Sequence, residues 1–116
     1  MDLDSRLEQF RQQYPHIRPY EEEDDIHWWN QGLEFIDAGD LDAAAETFKK
    51  LVLAQPEHSD GYNGLGRVYA KKGDRPGAEL FLRAAVAKAE QMVHDGDIDA
   101  QVLDLIRGDL NRLLRQ

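Results

Sequence analysis

The chain has 116 residues, of which 41% are hydrophobic and 32% are charged, so its length suits one small domain rather than two. Acidic residues outnumber basic residues by 23 to 14, and the resulting net charge of −9 is a poor electrostatic match for nucleic acid or anionic lipid. The chain has no cysteine, which excludes disulfides, thiolate metal sites and thiol nucleophiles.

The first predicted element is an amphipathic helix over residues 1–14. Its large apolar side chains recur at alternating spacings of four and three residues, at Leu3, Leu7, Phe10 and Tyr14. We expect this helix to end before Pro15 and to lie against the first of the two similar units that follow it. Its first residues are acidic where a signal peptide is basic, and the chain has no apolar run of about 18 residues. We therefore expect a cytoplasmic protein that does not bind a membrane.

A linker is predicted over residues 15–24, and two units of similar sequence follow it, over residues 25–58 and 59–92. The linker carries two prolines and an acidic run from Glu21 to Asp25. At an offset of 34 residues, five residue pairs are identical: Gly32 and Gly66, Gly39 and Gly73, Asp40 and Asp74, Ala44 and Ala78, and Val52 and Val86. The spacing of the apolar residues predicts two helices in each unit. Between them, the glycine of each Gly–Asp pair is predicted to end one helix, and the aspartate to cap the next.

Gly32 and Gly66 fall inside predicted helices, where glycine is about 1 kcal/mol less favourable than alanine. A close approach of the paired helix would offset this penalty. We therefore expect both glycines to be packing residues, with the small residues Ala44 and Ala78 opposite them.

These residues resemble the tetratricopeptide repeat family, whose pattern has a large aromatic residue, a Leu–Gly pair, an aromatic, a small residue, an aromatic and a closing proline. The first unit matches at Trp28, Gly32, Phe35, Ala44, Phe48 and Pro56. The second unit matches at Tyr62, Leu65, Gly66, Tyr69, Ala78 and Ala85. The pattern is broken at Gln31, where leucine is expected, and at Glu90, where proline is expected. Without that proline, the last helix of the second unit is predicted to continue to about Val93.

A final amphipathic helix is predicted over residues 97–115, after a break at Gly96 and with Asp97 as its cap. Its apolar residues are Ile98, Val102, Leu105, Ile106, Leu110, Leu113 and Leu114. Stacked repeats need a terminal helix to cover the last hydrophobic face. The predicted fold is therefore one all-α domain over residues 1–116, an α-solenoid of two repeats with an N-terminal helix and a C-terminal capping helix.

The sequence offers little for catalysis or metal binding. Its only serine and threonine hydroxyls belong to Ser5, Thr47 and Ser59, which capping or a solvated helix face explains, and its four histidines are scattered. Asp95, Asp97 and Asp99 begin like a calcium-binding loop. However, the sixth and twelfth positions of that loop, which need glycine and a carboxylate, hold Ala100 and Ile106. We predict no enzymatic activity, no metal site and no cofactor.

The resemblance implies that the first helix of each repeat lines a concave groove. The open face of that helix is apolar in the first unit, at Ile26, Trp29, Leu33 and Ile36, and polar in the second, at Asn63, Arg67, Ala70 and Lys71. Residues 59–92 contain six basic and four acidic residues, an excess of positive charge in a negative chain. The predicted partner-binding residues are Trp29, Leu33, Ile36, Asn63, Arg67 and Lys71.

The predicted function is a non-catalytic adaptor whose groove binds a protein segment that carries an apolar anchor and an acidic group. A subclass of the family clamps chaperone C-termini with lysines and asparagines, and Trp29, Leu33 and Gly64 replace those residues here, which disfavours that ligand. Two alternatives remain open. The groove floor is filled by the chain's own N-terminal helix, or the protein self-associates through its N-terminal helix or its C-terminal leucine face.

Overall fold

The computed structural model describes residues 2–19 and 25–116, with residues 25 and 26 described as backbone only. This part of the chain contains six α-helices and no strand, which confirms the all-α prediction. The helices are α1 (Leu3–Gln13), α2 (Asp25–Asp37), α3 (Leu41–Ala54), α4 (Ser59–Lys72), α5 (Arg75–His94) and α6 (Ala100–Leu114). Residues 20–24 of the predicted linker and the side chains of residues 25 and 26 lie outside the described part of the chain.

The breaks within the two repeats form as the sequence predicts. Gly39 and Gly73 have φ angles of 79° and 81°, the left-handed conformation that ends a helix and favours glycine. The Asp40 carboxylate accepts a hydrogen bond from the backbone N–H of Ala43 at 3.2 Å. Asp74 accepts one from the backbone N–H of Gly77 at 3.0 Å. Each Gly–Asp pair therefore ends one helix and caps the next.

The end of α5 and the start of α6 differ from the prediction. Helix α5 continues to His94, close to the expected Val93, but α6 begins at Ala100 rather than at residue 97. The backbone N–H of Asp97 donates to the carbonyl of Met92 at 2.8 Å, so Asp97 closes α5. The assignment of Asp97 as the cap of α6 was therefore wrong, because Asp99 takes that place.

The interior glycines do allow close packing, but the residues opposite them are larger than predicted. A Cβ atom placed on Gly66 would lie 2.5 Å from Leu82 Cγ, and one on Gly32 would lie 2.6 Å from a ring carbon of Phe48. Phe48 and Leu82, rather than Ala44 and Ala78, therefore fill the space beside these glycines. The close approach of α2 to α3 and of α4 to α5 requires glycine at both positions.

Helix α1 packs against α3 and α5, the second helices of the two repeats. Its Phe10 is 2% exposed and stacks on Phe81 with ring centroids 5.9 Å apart. The Arg6 guanidinium lies 5.3 Å from the ring centres of both Phe81 and Tyr69. The predicted docking of the N-terminal helix on the first repeat is therefore observed, and the helix also packs on α5 of the second repeat. The alternative in which this helix fills the groove was wrong, because the groove-forming helices α2 and α4 face α6 on another side of the bundle.

Helix α6 packs against α5 and also reaches α4. Its buried side chains lie on one face, at Leu103, Ile106, Leu110 and Leu113. The helix covers the hydrophobic end of the second repeat, as a capping helix is expected to do. It also forms one wall of the cleft that α2 and α4 leave between them.

Candidate functional site

The candidate site is a cleft of about 500 Å³ between α2, α4 and α6. Its apolar lining consists of Leu33, Ile36, Ala70, Leu82 and Leu113. Its polar lining consists of Asp37, Arg67, Lys71, Asp109, Arg112 and Gln116. The cleft exists because the first helices of both repeats present one face to the same side of the bundle, while α6 crosses beside them.

Asp109 of α6 connects that helix to α4. Its Oδ2 atom accepts a hydrogen bond from Asn63 Nδ2 at 3.1 Å and another from Arg67 Nη2 at 3.2 Å. Its Oδ1 atom accepts one from Arg112. The Asp109 side chain is only 13% exposed, so these hydrogen bonds compensate for its burial. The carboxylate fixes α6 against α4 and sets the width of the cleft.

Arg67 also contacts the first repeat. Its guanidinium carbon lies 5.7 Å from the centre of the Trp29 ring, and the Trp29 ring lies 5.7 Å from that of Phe48. A cation over the face of an indole ring is stabilised by the negative potential of that face. Arg67 therefore joins α2, α4 and α6, although 42% of its side chain remains exposed.

The cleft carries an excess of positive charge. Arg67, Lys71 and Arg112 line it, against the carboxylates of Asp37 and Asp109. Within residues 2–19 and 25–116, no carboxylate lies within ion-pair distance of the Lys71 ammonium, although the Lys71 side chain is exposed. Lys71 is therefore available to an acidic group from outside, in a chain whose net charge is −9.

The structure brings four of the predicted site residues together at the cleft: Leu33, Ile36, Arg67 and Lys71. Trp29 lies beside them, against Arg67. The expectation that Asn63 faces an open groove was wrong, because Asn63 is 2% exposed and donates to Asp109. Whether the other five residues contact a partner stays a prediction.

Sequence reasoning missed Leu82, Asp109, Arg112 and Leu113 as cleft residues. The contribution of Leu82 has no signal in the sequence, because its place depends on how α5 packs behind α4. The role of Asp109, in contrast, could have been inferred from the sequence. It lies three residues after Ile106 and next to Leu110, so an acidic side chain borders the apolar stripe of α6. A charged residue at the edge of an apolar stripe indicates that a polar side chain elsewhere in the same chain pairs with it.

The described residues also limit the chemistry of the site. Across the two described ranges, no group of three histidine or acidic side chains is arranged to hold a metal ion. No helix in these ranges is long and apolar enough to cross a membrane. The cleft combines an apolar floor with charged side chains of both signs.

Comparison with known proteins adds two relatives that share part of this chain. Cellulose synthase operon protein C of Escherichia coli (strain K12) is 37% identical over 57 residues. The putative cellulose synthase operon protein C of Escherichia coli O157:H7 matches to the same degree. The aligned region covers 49% of this chain and 5% of each relative. No solved structure matches.

The family assignment comes from the repeats themselves. The sequence profile described as tetratricopeptide repeat matches residues 30–93, which include most of α2, all of α3 and α4, and nearly all of α5. This span holds the Gly–Asp breaks, the packing glycines and all the cleft residues that the two repeats contribute. The chain belongs to the tetratricopeptide repeat family.

Proposed function

We propose that this protein is an adaptor that binds a segment of another protein in the cleft between α2, α4 and α6. One observation carries the proposal: an apolar floor lies directly beside Lys71, a cation with no ion pair among the described residues, in a protein of net charge −9. Tetratricopeptide repeats generally mediate protein–protein interactions and are generally non-catalytic. The family therefore supports the class of function, and the cleft supports the kind of ligand.

The lining favours a ligand with two features next to each other. An apolar side chain fits against Leu33, Ile36 and Leu113, where its transfer from water is favourable. A carboxylate one or two residues away fits beside Lys71, where a charge-assisted hydrogen bond is available. Arg67 and Arg112 are less available, because Asp109 already binds both of them.

The rest of the surface favours selectivity for a ligand with a single acidic group. A ligand that is acidic along its whole length is repelled by a chain of net charge −9, and this repulsion is a source of specificity. Asp37 lies at the cleft itself and disfavours a second carboxylate there. The expected ligand is therefore an apolar segment with one acidic residue.

The test starts with a displayed library of random peptides, from which the peptides that bind the whole chain are selected. We expect enrichment of peptides with an apolar residue close to one aspartate or glutamate. The strongest peptide is then titrated by calorimetry against the parent protein and against Lys71→Glu. Loss of a charge-assisted contact weakens binding by about tenfold or more, and increasingly so at low salt. Replacing the acidic residue of the peptide by its amide removes most of the difference between the two proteins.

Arg83→Glu provides the matched control. Arg83 is an exposed residue of α5 that pairs with Glu79 on the same helix, and it does not line the cleft. The same charge reversal there changes the net charge equally, so general electrostatic effects appear in both variants. Equal affinity of the parent, Lys71→Glu and Arg83→Glu at all salt concentrations would refute the cleft as the binding site.

A further inference from the structure

The exposed apolar surface of this protein is concentrated on one helix. In the part of the chain that the structure describes, the large hydrophobic side chains classed as exposed are Val102, Leu105 and Leu114, and all three belong to α6. Leu105 is the most exposed of them, at 72%. Leu114 lies on another side of the helix, so the candidate interaction surface is the side of α6 that carries Leu105.

Gly108 lies one turn after Leu105 and has no packing role within the chain. A Cβ atom at Gly66 would collide with Leu82, whereas a Cβ atom at Gly108 would meet only Arg112 Nη1, at 3.6 Å. Glycine is an unfavourable residue inside a helix, so its presence is best explained by a close approach of another backbone or side chain. No helix of the described structure makes that approach at Gly108.

Leu105 and Gly108 belong to one stripe of α6, which we call the α6 outer face and define as Gln101, Leu105, Gly108 and Arg112. These residues are spaced by four, three and four positions, so they share one side of the helix. The face holds a large apolar projection and, one turn away, an indentation. A second copy of the same face fits both features when the two helices run antiparallel, because the leucine of each lies over the glycine of the other.

The charges of α6 and its leading turn favour the same arrangement. Residues 97–104 carry three aspartates and no basic residue. Residues 105–116 carry three arginines and Asp109, and within the helix Arg107 pairs with Asp104 and Arg112 pairs with Asp109. Two such helices attract each other when antiparallel, because the acidic end of each faces the basic end of the other. They repel each other when parallel, because like charges then meet.

We propose that this protein forms a homodimer in which two copies of the α6 outer face pack antiparallel across a two-fold axis. In this register, Leu105 of one copy packs on Gly108 of the other, and Gln101 lies opposite Arg112. Such an interface is isologous and closes at two subunits. The tests below need no peptide, and the two residues at the centre of the interface, Leu105 and Gly108, do not line the ligand-binding cleft.

The first experiment is sedimentation equilibrium of the whole chain over about a hundredfold range of concentration. We expect the mean mass to rise from the monomer value of 13.3 kDa towards twice that value. Raising the salt concentration weakens the dimer, because part of the attraction is between exposed charges. A mass that remains at the monomer value throughout the series would refute the proposal.

Two substitutions and one control locate the interface. Leu105→Ser removes the apolar projection and is expected to raise the dimer dissociation constant by about tenfold or more. Gly108→Leu fills the indentation and has the same effect on the dimer, while the circular dichroism of the monomer stays helical. Leu114→Ser is the matched control, because Leu114 is an exposed leucine on another side of α6. A dimer that is weakened by Leu114→Ser but not by Leu105→Ser contradicts the assignment.

Cross-linking tests the orientation directly, because the chain has no cysteine of its own. A mixture of Gln101→Cys and Arg112→Cys proteins is expected to form a disulfide between one copy of each under mild oxidation. Gln101→Cys alone is expected to cross-link poorly, because the two copies of residue 101 are about 16 Å apart along antiparallel helices at 1.5 Å per residue. Efficient cross-linking of Gln101→Cys to itself would refute the antiparallel arrangement.

Discussion

The packing role of Gly66 is testable by comparing the same substitution at two helix-interior glycines. We consider Gly66→Ala in α4 and Gly108→Ala in α6. A Cβ atom at Gly66 would lie 2.5 Å from Leu82 Cγ and 3.3 Å from the Leu82 backbone nitrogen. A Cβ atom at Gly108 would meet only a guanidinium nitrogen at 3.6 Å, which is an ordinary contact.

The two variants share one energetic term and differ in another. Both gain about 1 kcal/mol from the higher helix propensity of alanine. Gly66→Ala also forces Leu82 and the paired helix to move, and overpacking of this kind destabilises a protein by about 1–3 kcal/mol. We therefore expect Gly108→Ala to stabilise the monomer by up to about 1 kcal/mol, and Gly66→Ala to lower its stability by as much as about 2 kcal/mol.

The measurement is urea unfolding of parent and variants, followed by circular dichroism at a concentration where the chain is monomeric. The difference in unfolding free energy between Gly108→Ala and Gly66→Ala isolates the packing term, because the propensity term cancels. That difference should be about 1–3 kcal/mol, with unchanged urea dependence. Each kcal/mol of this difference corresponds to a shift of roughly 4 °C in melting temperature. If Gly66→Ala is as stable as Gly108→Ala, the close approach of α4 to α5 does not depend on glycine, and the reasoning is refuted.

Three further predictions follow from single residues. Phe10→Ala should lower the free energy of unfolding by about 3 kcal/mol, because Phe10 is 2% exposed, and a loss below about 1 kcal/mol in urea would contradict the docking of α1. Burial raises the pKa of Tyr14 above its ordinary value of 10.0, so NMR titration should show this pKa falling towards 10.0 in Phe10→Ala. Because the folded state holds the Tyr14 proton more tightly than the unfolded state does, this group makes the parent lose stability as the pH rises above about 10. Asp109→Asn should destabilise the protein by about 1–3 kcal/mol because the Asp109 side chain is only 13% exposed and is hydrogen-bonded, whereas Asp104→Asn, at a carboxylate that is 74% exposed, should change stability by less than about 0.5 kcal/mol.

The cleft and the α6 outer face give one small protein two separate surfaces. Arg112 borders both, because it lines the cleft and lies at the end of the outer face. If both proposals hold, dimerisation brings two clefts together and allows a ligand with two binding segments to bind with greater avidity. A peptide with one segment should then bind equally well to the parent and to Leu105→Ser.

The sequence determined the local structure and the repeat. Gly39, Gly73, Asp40 and Asp74 act within one turn of their own position, so their effect on helix ends is readable without tertiary structure. The identical residues at an offset of 34 positions indicate two helix pairs that pack alike, and the same residues lie in the region that matches the tetratricopeptide repeat profile. The apolar stripe of residues 1–14 predicted a docked helix for the same reason, because its spacing is that of one helix face.

The tertiary structure decided where the terminal helices pack. An apolar stripe indicates that a helix is buried but not against which neighbour, and α1 packs on α3 and α5 rather than in the groove. The position of Asn63 in its helix predicts a groove residue, yet Asp109, 46 residues away in sequence, occupies that place. Contacts over such distances depend on the path of the whole chain, which periodicity does not encode. The sequence therefore determined which faces are polar and which are apolar, and only the packing of α6 decided which part of the groove stays open.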